Sequence, residues 1–126
     1  MSWVHIKSKD ELEAFYKSVL PKIREVARSC GYAIGLHGSM RRDLDLIAVP
    51  WGQEFTGKNV LAAEIHKAAC GLESAKYEWE QKSGQRQATC FPICWIELSK
   101  AFPMEASLGH IDLSVMEWVE LSDERG

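Results

Sequence analysis

At 126 residues, with 46% apolar and 26% charged side chains, the chain has the size and make-up of one soluble domain that can bury a core without disulfides. A formal net charge of -3 argues against a bulk nucleic-acid binder, which carries a basic field. No apolar run is long enough to predict a membrane span, and the opening MSWVHIKSKDE lacks a signal-peptide core, so the expected location is cytoplasmic.

Residues 1–7 read as a short extended arm. Ser8 and Glu11 have capping-box spacing and open an apolar rhythm at three and four: Leu12, Phe15, Tyr16, Val19, Leu20, Ile23, Val26 and Ala27. This predicts an amphipathic helix packed on a sheet. Pro21 falls inside it, so a kink or a restart is expected there, with Gly31 as the stop.

Two short strands follow, Tyr32–Leu36 and Leu44–Val49, joined by the polar corner Gly38 to Asp43. Pro50 and Gly52 end the second strand. A loop over 52–58 leads to a second amphipathic helix marked by Leu61, Ile65, Ala68 and Leu72 and ending near Gly71. His66 is expected on its polar side, exposed to solvent.

From Ala75 the period shifts to two, with Tyr77 and Trp79 alternating with Glu78 and Glu80. Ser83, Gly84 and Gln85 supply a turn, and Gln87–Leu98 returns as the second arm of a hairpin. Pro92 in that arm points to an edge or a bulge. A loop spans Ser99 to Ser107 and contains Pro103. HIDLSVMEWVEL then reads as a last strand, with His110, Asp112 and Ser114 on one face. The tail from Ser122 is polar and expected to fray.

The chain thus predicts an α/β sandwich of the α+β class, with a mixed or mostly antiparallel sheet covered by helices on one side. Trp79, Trp95 and Trp118 suit core or sheet-face positions. The cysteines, Cys30, Cys70, Cys90 and Cys94, are irregularly spaced. Cys90 and Cys94 flank Pro92 with no second pair to complete a zinc set.

Chemistry concentrates in YAIGLHGSMRRDLDLIAVPW. Asp43 and Asp45 are two apart and share a strand face, while Leu44 and Leu46 face an apolar layer. Asp43 could simply cap the corner as a turn residue. Asp45, inside an aliphatic run, is costly unless paired, hydrated or bound to metal. Asp112 repeats that situation in IDLSV. If the last strand lies beside Leu44–Val49, three carboxylates converge, and carboxylate oxygens are what magnesium prefers. Two metals on three aspartates can clamp a nucleoside triphosphate. Gly38 and Ser39 suit a phosphate-cradling corner, and Arg41 or Arg42 can offset phosphate charge. His37 and His110 lie close enough in sequence to reach a metal or a phosphate. Lys82, Arg86 and Lys100 could form a basic rim.

The pattern LHGS…DLDLIAV with a later IDLSV resembles the nucleotidyltransferase superfamily that includes DNA polymerase beta and the small antitoxin-like nucleotidyltransferases. It is similar, too, to small proteins of phage and bacterial genomes with that signature. The resemblance covers roughly residues 10 to 116, and its specific motif is about ten residues plus Asp112. It implies one nucleotidyltransferase-like domain over residues 1–126, with Asp43, Asp45 and Asp112 as catalytic metal ligands. Gly38 and Ser39 would be the phosphate corner, magnesium the cofactor, and a nucleoside triphosphate the substrate. The implied activity is nucleotidyl transfer to a hydroxyl acceptor that the motif does not name. The connection between Gly-Ser and the aspartate pair, Met40, Arg41 and Arg42, is shorter than the family's usual one. The alternative is an inactive protein of that fold that binds a nucleotide or a protein partner. An ion pair from Arg42 filling the acidic site would favour that alternative.

Overall fold

The structure is a computed structural model and describes residues 9–40, 42–70, 76–94 and 107–116. The expected arm at 1–7, the Ser8 cap, Arg41, the Gly71 stop with Leu72, Trp95, Lys100, the loop around Pro103, Trp118 and the tail lie outside the described residues.

The first helix, α1, runs Lys9–Ser29. Leu12, Tyr16, Ile23 and Ala27 form its buried stripe. Asp10 and Glu11 in the first turn and Arg28 in the last complement the helix dipole. The helix continues through Pro21 as one element and does not restart there. Pro21 is exposed, so the carbonyl it leaves without an amide partner can turn to water. Gly31 ends the helix at a φ of 97°, its amide bonded to the Arg28 carbonyl at 3.0 Å.

Strands β1 (Tyr32–His37) and β2 (Asp43–Pro50) pair antiparallel. The second helix, α2, spans Lys58–Cys70, and β3 (Glu80–Lys82), β4 (Arg86–Cys94) and β5 (Ser107–Met116) follow. The sheet order is β1-β2-β5-β4-β3, with β2 and β5 parallel and the other pairs antiparallel. This is an α+β architecture with a mixed five-stranded sheet.

The expected strand over Tyr77–Glu80 is mostly irregular. Pairing begins only at Glu80, because Tyr77 turns into the core instead of alternating along a sheet. The turn at Ser83–Gln85 is as expected, with Gly84 and Gln85 at φ values of 72° and 62°. β3 covers only Arg86–Ala88, so Pro92 sits where β4 has no partner on that side among the described residues, and the register with β5 shifts between Pro92 and Cys94.

The two helices pack on one face of the sheet. That face presents Leu44, Leu46, Ile93, Ile111 and Leu113, all fully buried, each contributing about 1.5–3 kcal/mol of burial. The alternate residues of the same strands line the opposite face.

His66 is not on a solvent face. It is 3% exposed, stacked 4.3 Å from the Phe91 ring, and its Nε2 donates to the Pro92 carbonyl at 3.0 Å. In the neutral ring Nδ1 then accepts from the Tyr77 hydroxyl, 3.2 Å away. The buried stripe of α2 is therefore wider than its aliphatic residues indicate. His66→Leu removes the hydrogen bonds to the Tyr77 hydroxyl and the Pro92 carbonyl and should cost about 1–3 kcal/mol in urea unfolding.

Candidate metal and nucleotide site

The parallel register of β2 and β5 places Asp45 directly beside Asp112 and Asp43 beside His110. Alternation puts all four on the face away from the helices, because Leu44, Leu46, Ile111 and Leu113 occupy the other. His37 pairs with Asp45 across β1, and Cys90 pairs with Asp112 across β4. One row thus crosses four strands: His37, Asp45, Asp112, Cys90.

The acids act on one another. The Asp45 carboxyl is pushed above the usual carboxylate range, first by burial and then by a hydrogen bond and charge repulsion from Asp112. His37 opposes this and Asp43 adds to it. Two carboxylates crowded side by side mark a place where a cation can relieve their repulsion. The donor set is hard oxygen, which suits magnesium. Asp43 stands one pair nearer the strand start, with His110 Nδ1 and Arg42 Nε each 3.9 Å from its oxygens. Among the described residues no three His, Cys, Asp or Glu side chains already form a ligand set, so Asp43 must turn to join the other two. Asp45 and Asp112 offer a cation two carboxylates side by side, and Asp43 stands two residues before Asp45 on the same face of β2. Arg42 makes the ion pair with one of the acids, Asp43, but with its side chain 88% exposed it does not fill the site.

Gly38 adopts a φ of 83°, and a Cβ there would lie 2.6 Å from Asp45 Oδ2. The backbone conformation favours glycine, and a side chain there would also push on the Asp45 carboxylate. Ser39 is exposed and follows directly.

Tyr16 carries a role that the sequence pattern does not reveal, because its spacing marks it only as a core residue. Its hydroxyl donates to the Arg42 carbonyl at 2.7 Å and accepts from the His110 amide at 3.2 Å. It ties together the starts of β2 and β5, the two strands that bear the acids. Gly109 makes room, since a Cβ there would overlap the Tyr16 hydroxyl. Burial, with the three aspartates adding, holds that hydroxyl up at about 12, so it stays a donor. Tyr16→Phe should destabilise the protein by about 1–3 kcal/mol and weaken any metal held between the strands, as read by urea unfolding with and without magnesium.

Cys90 was also beyond sequence reasoning, because a strand's neighbours follow from pairing and not from spacing. Burial, then a hydrogen bond to Asp112, then the fields of the acids push its thiol up to about 12. Cys90 should therefore alkylate slowly at pH 8 despite its exposed surface, and Asp112→Asn should speed that reaction, as followed by mass spectrometry.

An open cleft of about 580 Å³ extends from His37, Asp45 and Asp112 across β4 to the β3–β4 hairpin. Arg86 and Lys82 line its far end, with Glu78, Trp79 and Glu80. Of the residues expected to form a basic rim, Lys82 and Arg86 line the cleft, but Glu78 and Glu80 match their charge and Lys82 is engaged by Glu80 at 3.1 Å. No helix among the described residues is long and apolar enough to cross a membrane. Comparison with protein-family profiles, with curated proteins and with solved structures found no match to this chain.

Proposed function

We propose that the protein binds a nucleoside triphosphate with magnesium and transfers its nucleotidyl group to a hydroxyl acceptor. The observation that carries this reading is the side-by-side placement of Asp45 and Asp112 on adjacent parallel strands, with Asp43 on the same face. Asp45 and Asp112 would hold the cation and Asp43 would complete the set. Magnesium, when bound, supplies charge neutralisation at phosphoryl oxygens and acidifies a coordinated hydroxyl. Gly38 and Ser39 bring backbone amides and a hydroxyl to the same end of the site, where phosphate oxygens need donors. Arg42, exposed beside Asp43, would meet phosphate charge from solvent. Tyr16 keeps the two acid-bearing strands in register.

The alternative of an inactive, ligand-binding relative would be favoured by an arginine ion pair that fills the acidic site; Arg42 does pair with Asp43 at 3.9 Å, yet its side chain is 88% exposed and does not fill the site. Calorimetric titration of each nucleoside triphosphate with magnesium, on wild type and Asp45→Asn, tests the proposal. Magnesium-dependent binding to wild type that is lost in the variant supports it. No binding to wild type removes it, and equal binding by both forms removes Asp45 from the metal role.

A further inference from the structure

The far half of the cleft lies on the other side of a floor of small side chains. Ala88 and Ser114 are cross-strand partners, both line the cleft, and they separate the acid row from Arg86. Arg86 is four residues from Cys90 on β4, so it stands roughly 13 Å from that row at about 3.3 Å per residue. This exceeds the reach of a phosphate and matches the distance from a metal-held triphosphate to its base.

The groups at that end are mixed in kind. The Arg86 guanidinium and the Glu78 carboxylate both line the cleft, yet neither has an ion-pair partner among the described residues, and they do not close on each other. A fork of donors and a pair of acceptor oxygens are thus offered to one space. Trp79 lines the same space with its ring held in place. Its indole N–H donates to Asn59 Oδ1 at 2.8 Å, and Lys58 Nζ sits 5.5 Å from the ring centre. An anchored indole is a stacking surface for a base.

Resting on the nucleotide reading above, we infer that the base bound beside Trp79 is guanine. Guanine offers two adjacent acceptors, O6 and N7, which suit the arginine fork. It also offers two adjacent donors, N1–H and the N2 amine, which suit a carboxylate. Adenine and cytosine each present one donor group and uracil one N–H, so each leaves part of the Arg86 and Glu78 pairing unmade. The site discriminates because an unpaired polar group in a bound complex costs affinity.

The test is equilibrium binding of GTP, ITP, ATP, CTP and UTP with magnesium, and of guanosine in EDTA. Wild type, Arg86→Gln, Glu78→Gln and Asp45→Asn are compared, with circular dichroism to confirm folding. GTP should bind at least about 10-fold tighter than ATP. Inosine lacks the N2 amine, so Glu78→Gln should erase the preference for GTP over ITP. Arg86→Gln should weaken GTP about 10-fold. Equal binding of all five triphosphates, weakened alike by Asp45→Asn, overturns the guanine assignment and leaves the nucleotide reading intact. Guanosine binding in EDTA that is sensitive to Glu78→Gln, with no magnesium-dependent GTP binding, supports the base site and overturns the transfer reading. Binding of none of these ligands overturns both.

Discussion

Asp112→Asn should abolish magnesium-dependent nucleotide binding and, in the same protein, raise the stability of the metal-free form. The two effects have one cause. Asp45 and Asp112 are direct neighbours on parallel strands, and like charges placed so destabilise a sheet by about 0.2–1 kcal/mol. An amide removes that repulsion and can donate a hydrogen bond to Asp45. It also replaces one of the two carboxylates proposed to hold the cation with a neutral and much weaker oxygen donor. Loss of supporting residues around a metal costs roughly 10–100-fold in affinity, so loss of a ligand itself should cost at least about 100-fold. Thermal melts with and without magnesium read both quantities. Wild type should melt higher with the ion by an amount that grows with its concentration, and the variant should melt at one temperature in both conditions. A variant less stable than wild type without metal would show that the carboxylate pair is not a strained one.

Gly31→Ala should be the most destabilising single methyl addition among the glycines described. The residue closes α1 at a φ of 97°, which costs an L side chain about 1–2 kcal/mol. A Cβ there would also overlap the Glu54 carbonyl and meet Phe55 Cα and Cβ at 2.7 Å. Those are mainly backbone atoms, held in place by the Thr56 amide bonded to the Cys30 carbonyl at 2.9 Å and the Trp51 amide bonded to the Gly31 carbonyl at 3.2 Å. Overpacking adds about 1–3 kcal/mol, so a loss of roughly 2–5 kcal/mol in urea unfolding is expected. Gly84→Ala is the control. It shares a positive φ of 72° with nothing nearby for a Cβ to meet, so it should lose only the backbone part.

The helices and most of the strands were legible because their signals are local. Leu12, Tyr16, Ile23 and Ala27 repeat at helical spacing, and Leu44, Leu46 and Ala48 alternate, whatever lies beside them. The placement of Asp45 next to Asp112 was legible only as a condition, since the neighbours of a strand depend on sheet order. Where burial comes from tertiary packing, sequence reasoning failed. His66 is polar but covered by Tyr77, Phe91 and Pro92. Tyr77 is buried where a two-residue rhythm suggested a strand. Arg86 was seen as one charge of a rim, but its counterpart Glu78 was not, because only the irregular path of 76–79 brings both to one cleft.

The parallel pairing of β2 with β5 joins an early segment to a late one, while β1 and β2 need only a short corner. During synthesis the first hairpin and α1 can form on a nascent chain while Asp45 still has no neighbouring acid. The Asp45–Asp112 pair therefore cannot form until β5 has left the ribosome and slotted between β2 and β4. Contacts of such long sequence separation also slow folding. A ribosome that stops before Asp112 releases a chain with most of its hydrophobic pattern and without its acid pair.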